Sequence, residues 1–201
     1  MNKTIMQLTT AVAFCCFSAG ALAWGQTGHR VTGEIAEQYL TPLAQEKIAE
    51  IIANESLAEM STWPDEMRSN PDPFWRKIAG PFHYVTVPEG KTYAEVGPPE
   101  KGDSVTALND FRKILLDDDA SLTDKQLALR FIIHIIGDLH QPLHAGNGTD
   151  RGGNDVKVRF FGEDSNLHRV WDTNLVDHQK LSFTEWSDWL MAKISAYDVA
   201  H

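Results

Sequence analysis

Cysteine is nearly missing from this chain: there are two, Cys15 and Cys16, both within the first 23 positions. If that leader is removed, no disulfide can form, and packing or bound metal must do the stapling. Cationic side chains are also scarce, with 18 Lys and Arg against 28 Asp and Glu and a formal net charge of −10. A surface of that sign is a poor one for wrapping duplex DNA electrostatically, although bound divalent cations would alter the local sign. Beyond residue 23 no apolar run approaches the roughly 20 residues needed to span a bilayer. Repeats, low-complexity tracts and linkers are absent too, which excludes a solenoid or a multidomain array and leaves one domain.

The leader itself, MNKTIMQLTTAVAFCCFSAGALA, has Lys3, an apolar stretch and then Ala21-Leu22-Ala23. That is the pattern of a secretory signal peptide over residues 1–23 with a small-x-small cleavage site. A lipoprotein reading through Cys15 or Cys16 is weaker, because Phe14 stands where a small residue is wanted. Cleavage after Ala23 makes Trp24 the new N-terminus and leaves residues 24–201, an exported domain, periplasmic or secreted, with no membrane attachment.

Helical periodicity dominates the chain beyond the leader. Val31, Ile35, Ala36, Tyr39 and Leu40 share one spacing, and Thr41-Pro42 opens a second helix carrying Ile48, Ile51 and Ile52. Residues 57–67 read as helical on either side of Pro64, and 69–73 as a turn-rich break. Residues 83–87 alternate like a short extended piece, and 91–103 read as a Gly/Pro-containing loop. Ser104 caps a helix to about Leu116, and Thr123 caps another bearing Phe131, His134, Ile135 and Asp138. Val156–Phe161 alternates like half of a hairpin, and 166–176 and 184–196 read as helices. The expected fold is mainly α, a single helical domain with a minor β hairpin.

The stretch RFIIHIIGDLHQPLHAGNGTDRGGN concentrates the chemistry. His134 and Asp138 fall one turn apart on one helix face, and Pro142 ends that helix near Gln141, placing His144 beyond it. Polar groups at the end of a buried helix are costly unless paired. A second His-x-x-x-Asp pair, His168 and Asp172, stands in NLHRVWD, and His29, Asp65 and His83 complete the metal-capable set. Taken singly, each has a bland explanation: a core histidine, a surface hydrogen bond, a helix cap. Their coincidence points to metal. Nitrogen and oxygen donors without sulfur suit zinc in a hydrolytic site and do not exclude Mn²⁺ or Fe. His140 faces another way, and His178 and His201 have no acidic partner at a suggestive spacing.

WGQTGH, WPDEMR, FHY, HIIGDLHQPLH, RGGND and NLHRVWD occur in this order across nearly the whole chain after the leader. On these pieces the sequence resembles the S1/P1 nuclease family, zinc-dependent single-strand nucleases and 3′-nucleotidases. The resemblance implies the helical fold shared with zinc-dependent phospholipase C and three zinc ions per chain. It implies that Trp24 binds one ion through its α-amino group and backbone carbonyl, with His29. Asp65, His83 and His134 would hold a second, Asp138 would bridge these two, and His144, His168 and Asp172 would hold the third. Arg68 takes the place of a basic residue near the phosphate, where it stabilises transition-state charge alongside the Asp138-bridged pair. Thr86, Asn154 and Asn166 are candidate substrate contacts. Thr86 departs from the family, which commonly has Asp or Asn there. Relatives usually continue with further C-terminal helices, so the resemblance expects either a short form or a missing part.

The implied substrates are single-stranded DNA, RNA and 3′-nucleotides, giving 5′-phosphorylated products, with no stable protein partner. Unstacked bases can lie on aromatic rings while the phosphate meets the metals. Two rivals remain: a phospholipase C-like zinc phosphodiesterase, and a non-catalytic periplasmic zinc-binding protein.

Overall fold

A computed structural model of the chain describes residues 24–200; the leader expected over 1–23 and His201 lie outside them. The architecture is mainly α, as the periodicity predicts. In order come α1 (Gln26–Gln38), α2 (Pro42–Ile52), α3 (Leu57–Glu66), α4 (Tyr93–Val96), α5 (Ser104–Leu116) and α6 (Leu122–Leu139). After a small hairpin come α7 (Leu167–Arg169), α8 (Leu175–Asp177), α9 (Phe183–Met191) and α10 (Ala196–Ala200).

Helix α6 is the spine. Phe131 and Ile135 are fully buried in one cluster with Ala79, Ala107, Phe111 and Ala128. The Phe131 ring lies between Phe111, stacked at 4.6 Å, and Trp75, stacked at 5.6 Å. Leu129, one face round, joins Ile52, Leu57 and Met60 of α2 and α3 in a second cluster. Two apolar faces fix the rotation of α6, and the remaining inward positions fall to His134 and Asp138, both with no exposed surface. Helix α1 crosses α3 closely enough that a Cβ on Gly33 would sit 2.5 Å from the Leu57 carbonyl oxygen, so only glycine fits there.

Helix starts differ from expectation by a residue or two. The caps of α5 and α6 are Asp103 and Ser121, not Ser104 and Thr123, and α9 starts at Phe183 behind the cap Ser182. Each accepts from a backbone N–H three residues on and pairs with that residue's side chain: Thr106, Asp124 and Glu185. In α5 and α9 the capping is reciprocal, which satisfies more of the orphan donors than a lone hydroxyl does. Helix α3 runs through Pro64 without a break, and the 91–103 loop contains the short α4.

Two small β pairings matter. Strand β1 (Val85–Thr86) runs parallel to β2 (Ala145–Gly146), and β3 (Lys157–Phe160) pairs antiparallel with β4 (Glu163–Asn166). Residues 166–176 do not form the single helix expected: α7 gives way to a π turn over Val170–Asn174 before α8. No helix among the described residues is long and apolar enough to cross a membrane.

Because Phe131 is held between two rings and has no exposed surface, Phe131→Ala should destabilise the fold by about 3–5 kcal/mol, measured by urea unfolding. A loss near 1 kcal/mol would mean that the cluster collapses around the gap.

Candidate metal centre

Asp138 sits at the C-terminal end of α6 with four imidazoles around it. His29 Nε2, from α1, lies 3.2 Å from Oδ1, and His83 Nδ1, from the 80–83 turn, lies 3.1 Å from Oδ2. His134 Nε2, one helical turn back, is 3.0 Å from Oδ2, and His144 Nδ1, beyond Pro142, is 3.6 Å from Oδ1. His134 Nε2 and His83 Nδ1 are themselves only 2.8 Å apart. Asp65, at the end of α3, completes this side, its Oδ1 3.8 Å from His83 Nδ1 and 3.9 Å from His134 Nε2.

A second group lies beside the first. His168 Nε2 is 2.8 Å from Asp172 Oδ2 across the π turn, and His144 Nε2 is 3.8 Å from Asp172 Oδ1. A π turn is a wider coil than an α turn and often marks a functional position. Three triads therefore bring donor atoms within 4.8 Å of one another: His29/His134/Asp138, Asp65/His83/His134 and His144/His168/Asp172.

The other side of each imidazole explains how it is aimed. His134 Nδ1 donates to the Ser61 carbonyl at 2.6 Å, His144 Nδ1 to the His83 carbonyl at 2.6 Å, and His168 Nδ1 to the Gly152 carbonyl at 2.7 Å. A carbonyl only accepts, so the proton is fixed on Nδ1 and the Nε2 lone pair points into the cluster. The parallel β1–β2 pairing creates the second tether, since it holds the segments after His83 and His144 side by side. The third depends on Gly152, where a Cβ would collide with the Leu143 carbonyl.

Electrostatics agree with a cation site. Burial alone would raise the Asp138 carboxyl, but the charge and hydrogen bond of His134 outweigh it and hold it well below the usual range. Burial pushes His83 down to about 4 and lowers His29 as well. At neutral pH this supplies an ionised carboxylate and neutral imidazoles at His83 and His29, the forms that ligate. His134 goes the other way: burial would lower it, but the charge and hydrogen bond of Asp138 outweigh that and raise it. Both nitrogens of His29, Oδ1 of Asp138 and Nε2 of His144 are buried with no hydrogen-bond partner. Orphaned polar atoms of this density are rare in a folded interior and costly. Divalent metal coordination would satisfy Nε2 of His29, Oδ1 of Asp138 and Nε2 of His144, so these residues fit zinc.

Above the cluster a cleft of about 630 Å³ opens, and His83, His144 and His168 form part of its floor. Arg68, Thr86 and Asn154 line it, as does Arg151. Arg68 Nε is 2.9 Å from Asp65 Oδ1. Asn166 is not among the lining residues; its Oδ1 caps α7 by accepting from Arg169 N–H at 2.8 Å. His140 turns away, its Nδ1 donating to the Ile136 carbonyl at 2.7 Å. Trp24 belongs to the site's edge: its indole N–H donates to the Gly137 carbonyl at 2.9 Å, and the next residue's N–H donates to the Asp172 carbonyl at 2.6 Å.

Gln141 carries a role that no motif in the sequence signals. It has no exposed surface, its Nε2 donates to Asp172 Oδ1, and its Oε1 accepts from Leu143 N–H at 2.5 Å. An amide joining a helix end to a ligand carboxylate leaves no periodic signal; only its place between His140 and Pro142 hints at it.

A mainly helical domain whose core closes on three His/Asp triads defines a class of protein with several groups that could each hold a metal ion in one buried centre. The S1/P1 Nuclease family description matches residues 24–200, and the chain belongs to that family. It is 34% identical over 168 residues to Endonuclease 3 of Arabidopsis thaliana, covering 79% of this chain and 56% of that one. It is 31% identical over 167 residues to Nuclease S1 of Aspergillus oryzae, covering 76% and 54%, and 30% identical over 193 residues to Nuclease P1 of Penicillium citrinum, covering 86% and 67%. The match thus spans little more than half the length of the first two.

If Gln141 orients Asp172, Gln141→Leu should weaken zinc retention at the His144/His168/Asp172 triad about 10- to 100-fold, read by competition with a chelating dye. Unchanged retention would make Gln141 a packing residue only.

Proposed function

We propose that this protein is an exported zinc-dependent endonuclease and 3′-nucleotidase that hydrolyses single-stranded DNA and RNA to 5′-phosphorylated products. One observation carries the reading. The triads open onto a cleft whose described lining includes two guanidinium groups and no carboxylate, in a chain with a net charge of −10. A phosphodiester is the ligand class that guanidinium groups on the wall of a metal-capable cleft favour, their carboxylate partners Asp65 and Asp155 standing outside the lining.

Three zinc ions are proposed, one for each of three ligand sets. Trp24 and His29 serve one, Asp65, His83 and His134 a second, with Asp138 shared between them, and His144, His168 and Asp172 the third. The short bonds from Trp24 to Gly137 and from Gly25 to Asp172 support the place of the Trp24 backbone in this scheme. Its α-amino group becomes available only when the leader is removed, so export and maturation complete the centre. Bound zinc supplies Lewis-acid polarisation of a phosphate ester and brings the ionisation of water towards neutral pH. The chain does the rest. Asp138, held ionised, fixes the spacing of the ligands around it, and the tethered imidazoles keep their lone pairs inward. Arg68, held by Asp65, reaches the cleft where negative charge on the phosphate grows. Thr86 and Asn154 offer neutral hydrogen-bonding groups on the cleft wall.

The test is zinc content together with nucleotide release, on protein beginning at Trp24. About three zinc ions per chain are expected, as three triads imply, with chelator-sensitive release of 5′-nucleotides from single-stranded RNA and no release of phosphocholine from phosphatidylcholine. Zinc without any hydrolysis would favour a binding protein, and lipid hydrolysis a phospholipase. Asp138→Asn should lose about two of the three ions together; losing one alone would refute the shared carboxylate.

A further inference from the structure

The cleft's second guanidinium is given no contact of its own in the nuclease scheme. Arg151 lines the cleft, yet its side chain is 74% exposed, and it sits with φ of +52° in the left-handed region that a side chain rarely occupies. That backbone is pinned. Asn154 Nδ2 donates to the Arg151 carbonyl at 3.0 Å, and the next carbonyl, that of Gly152, accepts from the ligand imidazole of His168 at 2.7 Å. The turn carrying Arg151 is therefore fastened to the metal centre itself.

The guanidinium is also aimed. Its Nε and Nη2 donate to the two oxygens of Asp155, at 2.7 to 3.1 Å, in a fork. Asp155 is itself about half exposed, and an exposed pair of this kind is weak enough to exchange partners. A phosphodiester presents the same two-oxygen edge to a guanidinium as a carboxylate does. Arg68, by contrast, is tied to the ligand Asp65 and acts beside the reacting phosphate.

We propose that Arg151 holds a second, uncleaved phosphate of the bound strand, exchanging Asp155 for the phosphodiester, and so makes the cleft a site for polymers rather than for mononucleotides alone. This rests on the nuclease reading. Contact is with the backbone and not with a base, so it should be indifferent to sequence.

The test uses zinc-loaded protein, a fluorescent cleavage-resistant phosphorothioate oligothymidylate of about ten nucleotides, its oligodeoxyadenylate equivalent, and thymidine 3′-phosphate. Arg151→Asn removes the charge while keeping a residue that tolerates positive φ. It should weaken oligonucleotide binding about threefold to tenfold for both sequences and lower the slope of log affinity against log salt by about 0.7, one phosphate contact on a single strand. The KM for hydrolysis of thymidine 3′-phosphate, which offers one phosphate, should change by less than twofold. Arg151→Lys, which keeps a point charge but loses the fork, should restore the salt slope. An unchanged slope in Arg151→Asn, or an equal loss on thymidine 3′-phosphate, overturns the proposal while leaving the nuclease reading intact. Failure of the unaltered protein both to bind the oligonucleotides and to hydrolyse thymidine 3′-phosphate overturns the two together.

Discussion

A carboxylate with no exposed surface, facing four imidazoles, is the constraint on which the rest of this structure turns. Asp138 cannot be ionised in an apolar core without compensation, and its neighbours cannot all be neutral and pointed at one another without something between them. Every segment that reaches it is drawn to a fixed place: α1 through His29, the 80–83 turn through His83, α6 through His134, and the turn after Pro142 through His144. The two apolar clusters on either side of α6 have a matching task. They set the rotation of that helix so that the polar positions, and not Phe131 or Leu129, face the centre.

The division between ligand and support is sharp here. Side chains supply the inward lone pairs, while main-chain carbonyls of Ser61, His83 and Gly152 take the outward protons. Because carbonyl positions depend on backbone path, small irregular pieces of structure become exacting. The two-residue parallel bridge between β1 and β2 would add little to stability alone, yet it sets the distance between two ligand segments. The glycine-rich turn at 151–154 has the same character, joining an imidazole on one side to a cleft wall on the other.

The parts legible in sequence are those with a period or a motif. Helices α1, α2, α5 and α6 announce themselves through apolar spacing, and the pair His134/Asp138 through its one-turn separation. The metal-capable residues His29, Asp65, His83, His134, Asp138, His144, His168 and Asp172 lie close enough to form three groups, with His134 common to two of them. What stays hidden is non-local or compositional in the wrong place. Gln141 on Asp172, the β1–β2 bridge and the π turn at 170–174 depend on where distant backbone arrives. The absence of carboxylates from the described cleft lining could not be read from a chain so rich in them. Asn166, a polar residue beside a ligand motif, is engaged in capping α7, the helix that carries His168.

The donor atoms are strewn along the chain from His29 to Asp172, and the first and last of these segments are stitched together by the Gly25–Asp172 bond. No fragment ending before Asp172 contains all three triads. Ring closure over so long a stretch is among the slower events in folding. The centre is thus assembled late: a chain that has not yet placed Asp172 holds at most two of the three groups.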